Sequence, residues 1–561
     1  MSRVLRFVFA CSSLAVACSA NPRPPTRQPE SAPAATCPRC DAILDAYVEA
    51  SPSTGRELGL HAYDGRVADY SRAGIERRIA AATHDLAELD AFDRRALSPD
   101  GALDLDMLRW SLREELFDLE DRALWKTDPA YYSELFSVND YSDKEGVPVP
   151  VRLERLLRHE DAALREIPHV YENLHLPLSK PVADVAADVI AGYAEYLRDT
   201  VPGLMLVGAD AATRARFEKT NGALATEATR LADWLRHDVV PHGDDSHVLG
   251  RERFEKLVAL YAGVPIPLAK FKAMAEDDWK KNRAAYDALA KTVQPHRLSE
   301  TDYLATATRV MNDARAFAVD HGIVTLASDE RVTVRESPPY KRYNQAWIES
   351  YGPFETETHT SFFDITLPDP SWPKEQREGY IASLGVLRAM AVHEVYPGHF
   401  VQIRWMDRAP TRAQKELGSF TFHEGWAHYV EQMMIDEGFG NDDPDSRLGQ
   451  LSDALLRNCR VLVAIGMHTE GMSLADAEEL FVNACYQDRA SARQQALRAT
   501  FHPWYFAYNL GKLQILQLRE EARAKLGPAF SLHRFHDALL AHGMPPIGLV
   551  HDRVLHDLGV P

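Results

Sequence analysis

The stretch "MAVHEVYPGHFVQIRW", Met390–Trp405, decides how the rest of the chain is read. It nearly spells the zinc-site signature H-E-x-x-H. In that signature two histidines at i and i+4 lie about 40° apart around a helix and face one metal. Here Pro397 stands where the second histidine belongs, and a histidine arrives only at His399. On a regular helix the step from His393 to His399 is about 600°, or −120° after whole turns, so the two imidazoles would point to different sides. Either the pair is an accident, or Pro397-Gly398 distorts the backbone into a local bulge that swings His399 back. A proline without an N–H and a glycine that tolerates unusual dihedrals are what such a distortion requires.

A metal-dependent hydrolase needs three protein ligands, an open position for water, and a base beside that water. His393 and His399 supply two imidazoles, and Glu394 can turn toward the water instead of the metal. The third ligand is expected on the next helical segment, "SFTFHEGWAHYVEQMM" (Ser419–Met434), at Glu424. A short connection between the two segments lets the helices pack antiparallel. Plainer readings exist for each residue. His-Glu pairs are common in helices, and Pro-Gly ordinarily ends one, which would make His399 a capping residue. His423 and His428 read as surface or core histidines, Trp426 and Tyr429 as core aromatics, and Glu424 with His428 as a separate ligand pair at i and i+4. The metal reading gains from two such motifs at this distance, preceded by the chain's one convincing β region.

That region runs from Val332 to Pro373. "RVTVRESPP" alternates like a strand, and "GPFETETHTSFFDITLPDP" carries β-branched and aromatic residues at a period of two between Gly and Pro. Its best part, Glu357–Asp369, is expected to form an edge strand along the cleft, where it would hold extended peptide by its backbone. Elsewhere the pattern is helical. "AGIERRIAAATHDLAELDAF", "LDLDMLRWSLREELFDLED" and "ADVAADVIAGYAEYLRDTV" place apolar residues three and four apart with charged opposite faces. The expectation is a mainly α fold with a small sheet next to the active-site helix, divided into a helical region over 37–330 and a catalytic region over 331–561.

The 561 residues are 45% hydrophobic, enough for a large core, and the formal charge of −19 argues against a general nucleic-acid binder. The N-terminus reads as an export signal. Arg3 and Arg6 precede the short apolar run Phe7–Ala17, and "LAVAC" ends at Cys18 like a lipoprotein box, although Ala15-Val16-Ala17 also fits simple cleavage. Residues 1–17 are thus a signal peptide and 18–36 a Pro/Ser/Ala-rich tether. The chain is expected at the periplasmic face of a membrane, held only by a lipid on Cys18, or soluble in the same compartment. Cys37 and Cys40 are read as a local disulfide, and Cys459 and Cys485 as core residues.

"HEVYPGH" followed by "EGWAHYVE" resembles the bacterial domain-of-unknown-function 885 family, and "RVLVAIGMH" (Arg460–His468) and "PWYFAYNLGK" (Pro503–Lys512) are similar to its later blocks. The resemblance covers roughly Ser337–Glu521. It implies a gluzincin-type metallopeptidase, similar in architecture to thimet oligopeptidase and the oligoendopeptidases. By position, His393, His399 and Glu424 would hold one Zn2+ (other divalent ions fit the same ligands), Glu394 would be the general base, and Tyr508 and His468 would line the site. The chain departs from the family pattern at Phe400, at His428 and in "PWYFAY"; the last bears on substrate specificity. The expected function is an exported peptidase. The other readings are a metal-dependent hydrolase of a non-peptide amide or ester, and a non-catalytic lipoprotein that binds peptide.

Overall fold

The amphipathic segments become helices, many with the caps their sequences offer. Ser71 caps Arg72–Asp90 by accepting from the Gly74 N–H, and Ser98 with Pro99 opens Pro99–Leu116. The computed structural model describes residues 37–142, 146–338, 342, 345–357, 359–441 and 443–560. The expected export signal (1–17), Cys18 and the expected tether (18–36) lie outside the described residues. The fold is mainly helical, with 69% helix and 3% strand. No helix among the described residues is long and apolar enough to cross a membrane.

Three apolar cores hold the helices together. One joins N-terminal helices (Leu44, Leu105, Met107) to the site region through Phe363, Leu387, Trp426 and Tyr429. A second lies wholly among helices between Ala68 and Val239. The third packs Phe254, Leu257 and Phe271 against Val463, Phe481 and Phe506. Cys37 is bonded to Cys40, as the local reading expected. Cys459 is bonded to Cys485, which that reading missed; the bond ties the helix Asp445–Thr469 to Leu474–Cys485.

The sheet has three short strands, β1 (Thr333–Glu336), β2 (Ala346–Glu349) and β3 (Phe362–Ile365), in the order β1-β3-β2. β3 pairs parallel to β1 and antiparallel to β2, with Ile348 opposite Phe363. The expected edge strand is therefore the central one. All four residues of β3 are buried, and burial on both faces makes an interior strand read strongly in sequence. The edge that reaches the site is β2, a four-residue strand with no clear period.

Candidate metal centre

The helix Leu384–Glu394 carries His393 on its last turn and stops there; a new helix, His399–Met406, begins at His399 itself. The expected bulge is thus a full break. Pro397 ends the helical ladder because it has no N–H and its ring excludes the preceding helical turn. Gly398 packs so closely that a Cβ there would collide with the carbonyl oxygens of His393 and Val392. Restarting the helix points His399 back at His393, with ring centroids 4.7 Å apart and planes at 85°. The Trp426 indole N–H donates to the Pro397 carbonyl at 2.9 Å, so the second motif pins the loop of the first.

The helix Phe420–Asp436, capped by Ser419, supplies Glu424. Glu424 Oε2 lies 3.4 Å from His393 Nε2 and 3.5 Å from His399 Nε2, and the three ligand atoms all fall within 4.8 Å of one another. All three residues are buried. Glu424 Oε2 has no aligned hydrogen bond, an orphaned carboxylate oxygen facing two imidazole nitrogens. Ligands about 2.0–2.2 Å from a tetrahedral ion stand roughly 3.3–3.6 Å apart, so the two distances to Glu424 suit one small divalent cation. Burial opposes ionisation of Glu424, but the two histidines hold its carboxyl well below the usual range. Burial likewise pushes His393 down, and its contacts with Glu424 and Glu431 outweigh that, raising it to about 10.

Glu431, which sequence reading gave no role, completes the support. Its Oε1 accepts from His393 Nδ1 at 2.6 Å and from Arg457 at 3.0 Å, and its Oε2 from His428 Nδ1 at 3.1 Å. With Nδ1 engaged by Glu431, Nε2 is the nitrogen directed at the ligand cluster, and it would give up its proton on binding a cation. Its position two turns after Glu424, on the same helix face, was the available signal. His428 is turned to Glu431, so it forms no ligand pair with Glu424. His399 Nδ1 is 3.5 Å from Gln402 Oε1, and His423 stacks on His399 at 3.8 Å.

Glu394 stays outside the triangle. Its Oε2 accepts the Ile348 backbone N–H at 3.1 Å, which binds the carboxylate to edge strand β2. Tyr508 approaches on the helix Ala507–Leu526, which crosses the Glu424 helix where two glycines meet. A Cβ on Gly425 would stand 2.5 Å from Gly511 Cα. Burial and the nearby Glu424 charge raise the Tyr508 phenol, against the pull of Arg498, Arg460 and Arg457.

His468 is not brought to the site. Its Nε2–H donates to the Ala499 carbonyl at 3.0 Å, its Nδ1 accepts from the Leu249 N–H at 3.3 Å, and its ring stacks on Phe254. Buried in the third core, it is pushed down to about 4. Among the described residues two other His/carboxylate groups are close enough to share an ion. In one of them both ring nitrogens of His61 are already taken, by Asp64 at 3.0 Å and Glu355 at 2.8 Å.

Comparison with known proteins fits this picture at the level of family and fold. The chain belongs to the family described as bacterial protein of unknown function (DUF885), whose model matches residues 52–554. No curated protein matches the chain. Among solved structures it is similar to a candidate lipoprotein of unknown function from Shewanella oneidensis, with TM-score 0.76 and 21% identity over 92% of this chain and 98% of that one. It is also similar to a candidate lipoprotein from Colwellia psychrerythraea, with TM-score 0.72 and 15% identity over 92% and 99%.

Proposed function

We propose that this chain is an exported, metal-dependent peptidase of zincin type, with the oligopeptidase-like arrangement of a His-Glu helix, a Glu helix and an edge strand. One observation carries the reading: the buried, unpartnered Glu424 Oε2 converges with His393 Nε2 and His399 Nε2 while Glu394 stands beside them, held away by β2. His393, His399 and Glu424 would hold the ion; imidazole and carboxylate ligands favour zinc, with manganese or cobalt as substitutes. When bound, such an ion lowers the pKa of water toward about 7 and polarises a carbonyl. Glu394 takes the proton of the attacking water and hands it to the departing amine. The Tyr508 hydroxyl accepts from Arg498 at 3.5 Å, which leaves its own proton to stabilise the oxyanion that develops on the cleaved carbonyl. A non-peptide amide or ester would use the same groups. The edge strand favours a peptide, because the outward backbone groups of Ala346 and the Ile348 carbonyl can pair with extended chain, the Ile348 N–H being held by Glu394. Export accords with the two disulfides, and with the relatives described as candidate lipoproteins.

The test is metal analysis of the purified protein, followed by a peptide-library digest with wild type and Glu394→Gln. One divalent ion per chain and cleavage by wild type are expected, with turnover lost and metal kept in the variant. Protein that binds no divalent ion, or a variant that cleaves as well as wild type, overturns the reading.

A further inference from the structure

Tyr508 is ringed by guanidinium groups. Arg460 lies 4.7 Å from the ring centroid, Arg457 5.7 Å and Arg498 6.0 Å. Arg457 is neutralised by Glu431 at 3.0 Å and Asp453 at 3.7 Å. The other two touch no carboxylate among the described residues, although burial of Arg498 is outweighed by Tyr508 and the more distant Glu424, which raise it. Arg460 donates through Nε to neutral Gln495 at 3.0 Å, and Arg498 to His502 at 3.4 Å and to the Tyr508 hydroxyl. Among the described residues neither is paired with a carboxylate. Arg460 is only 6% exposed, and its two terminal nitrogens make no hydrogen bond there.

Such an arrangement is unfavourable by itself. A buried cation needs a partner, and two guanidiniums facing one ring repel each other. Burial, then Arg498 and Arg457, push Arg460 down to about 10, a sign of crowded positive charge. An anion between Arg460 and Arg498 would relieve the repulsion and satisfy the open donors. The planar guanidinium fork matches the two oxygens of a carboxylate. Position sets which carboxylate fits. The Glu424 charge acts on the Tyr508 phenol and on Arg498 alike, so the pair of guanidiniums adjoins the ligand cluster, and a carboxylate held there belongs close to the bond cut.

We propose that Arg460 and Arg498 form a carboxylate subsite that binds the free C-terminus of the substrate close to the bond cut. The chain is then a carboxypeptidase or dipeptidyl carboxypeptidase: the C–N bond breaks, water gives its hydroxyl to the acyl carbon and a proton to the released amine. This rests on the peptidase reading above for the cleavage, but not for the binding.

Binding is therefore measured first, by calorimetry on Glu394→Gln, which keeps the site and does not turn over. Three peptides of one sequence are compared: the free acid, the C-terminal amide, and the amide with an aspartate as its penultimate residue. The acid is expected to bind about tenfold or more tightly than the amide, as a charge-assisted contact requires. Adding Arg460→Gln or Arg498→Gln should reduce that ratio to about threefold or less. The more exposed Arg498 keeps the test available if the Arg460 variant does not fold. Equal binding of acid and amide, or an arginine variant that weakens both alike, shows that the arginines only position Tyr508 and overturns the subsite. An aspartyl amide that binds as well as the acid overturns the C-terminal assignment. Wild type is then digested with the acid and amide peptides. Cleavage of both at one rate removes the exopeptidase reading and leaves the peptidase standing. An acid preference in binding with no cleavage sinks the peptidase and leaves the subsite.

Discussion

Glu431→Gln should weaken metal binding about 10- to 100-fold without a change in any of the three ligands. Glu431 is 1% exposed and faces three donors, His393, His428 and Arg457. Burial by itself would raise its carboxyl, yet Arg457 and the two histidines hold it well below the usual range, so it is an anion in the folded protein. Glutamine keeps the volume and one acceptor oxygen but turns an amide N–H2 toward a donor. Either His393 and Arg457 lose the oxygen they share or His428 loses its own. In the first case nothing fixes the His393 proton on Nδ1, and carboxylate–histidine supports of this kind are worth 10–100-fold in affinity, about 1.4–2.7 kcal/mol. Stability should fall as well. Breaking a buried ion pair costs about 3–5 kcal/mol, and the Asp453 contact kept by Arg457 places the loss toward the low end. The assay is competition for zinc against a chromogenic chelator near pH 7.5, with far-UV circular dichroism as the check on folding. A folded variant whose affinity stays within about threefold of wild type refutes the argument that Glu431 orients His393.

Gly398→Ala should cost at least about 100-fold in metal affinity, since the methyl group displaces the backbone that carries both histidines and a shift of about 1 Å has effects of that order; wild-type affinity in the same chelator competition would show that the break is not held by this contact. Glu160 is fully buried with both oxygens unpartnered, and burial, followed by Asp161, raises its carboxyl well above the usual range. The folded state then holds the proton longer than the unfolded chain, so Glu160 lowers stability progressively as pH rises above about 4.3. Urea unfolding of Glu160→Gln between pH 5 and 7 should fall less steeply with pH than wild type, by up to about 1.4 kcal/mol per pH unit, and parallel curves would contradict the shift.

The ligand cluster was legible in the sequence because metal chemistry restricts residue types and spacing together. His393, His399 and Glu424 had to be an imidazole, an imidazole and an acid on two elements close enough to pack. The helices were legible by their apolar period. What surrounds the ligands was not, and each omission has a physical reason. β2 is four residues long with one buried position, too short to show a period, so the stronger pattern of the interior strand β3 took its place. The block Arg460–His468 was represented by His468 alone, which the fold carries away from the ligand cluster. Eight residues of helix span about 12 Å, so a block that begins beside Tyr508 at Arg460 delivers its histidine into a different core. The histidine drew attention because its ordinary pKa suits acid–base work. The arginine reads from sequence as a solvated charge, and only its burial without an acid makes it informative.

The same logic explains why the two motifs need each other. The break at Val395–Gly398 frees backbone groups that a continuous helix would have used, in a region where Tyr396, Pro397 and Gly398 are all buried. A buried carbonyl without a donor is costly, so the distorted loop is stable only where one is supplied. Trp426 supplies it from the adjacent helix, two residues after Glu424, and its fully buried ring ties the donor to the core. The residue that makes the offset tolerable is therefore carried by the helix that brings the third ligand. A chain with the first motif alone would have an unsatisfied loop and a two-histidine site. The second motif repairs both deficits in one packing event, which is why the pair of motifs, and not either one, points to a metal.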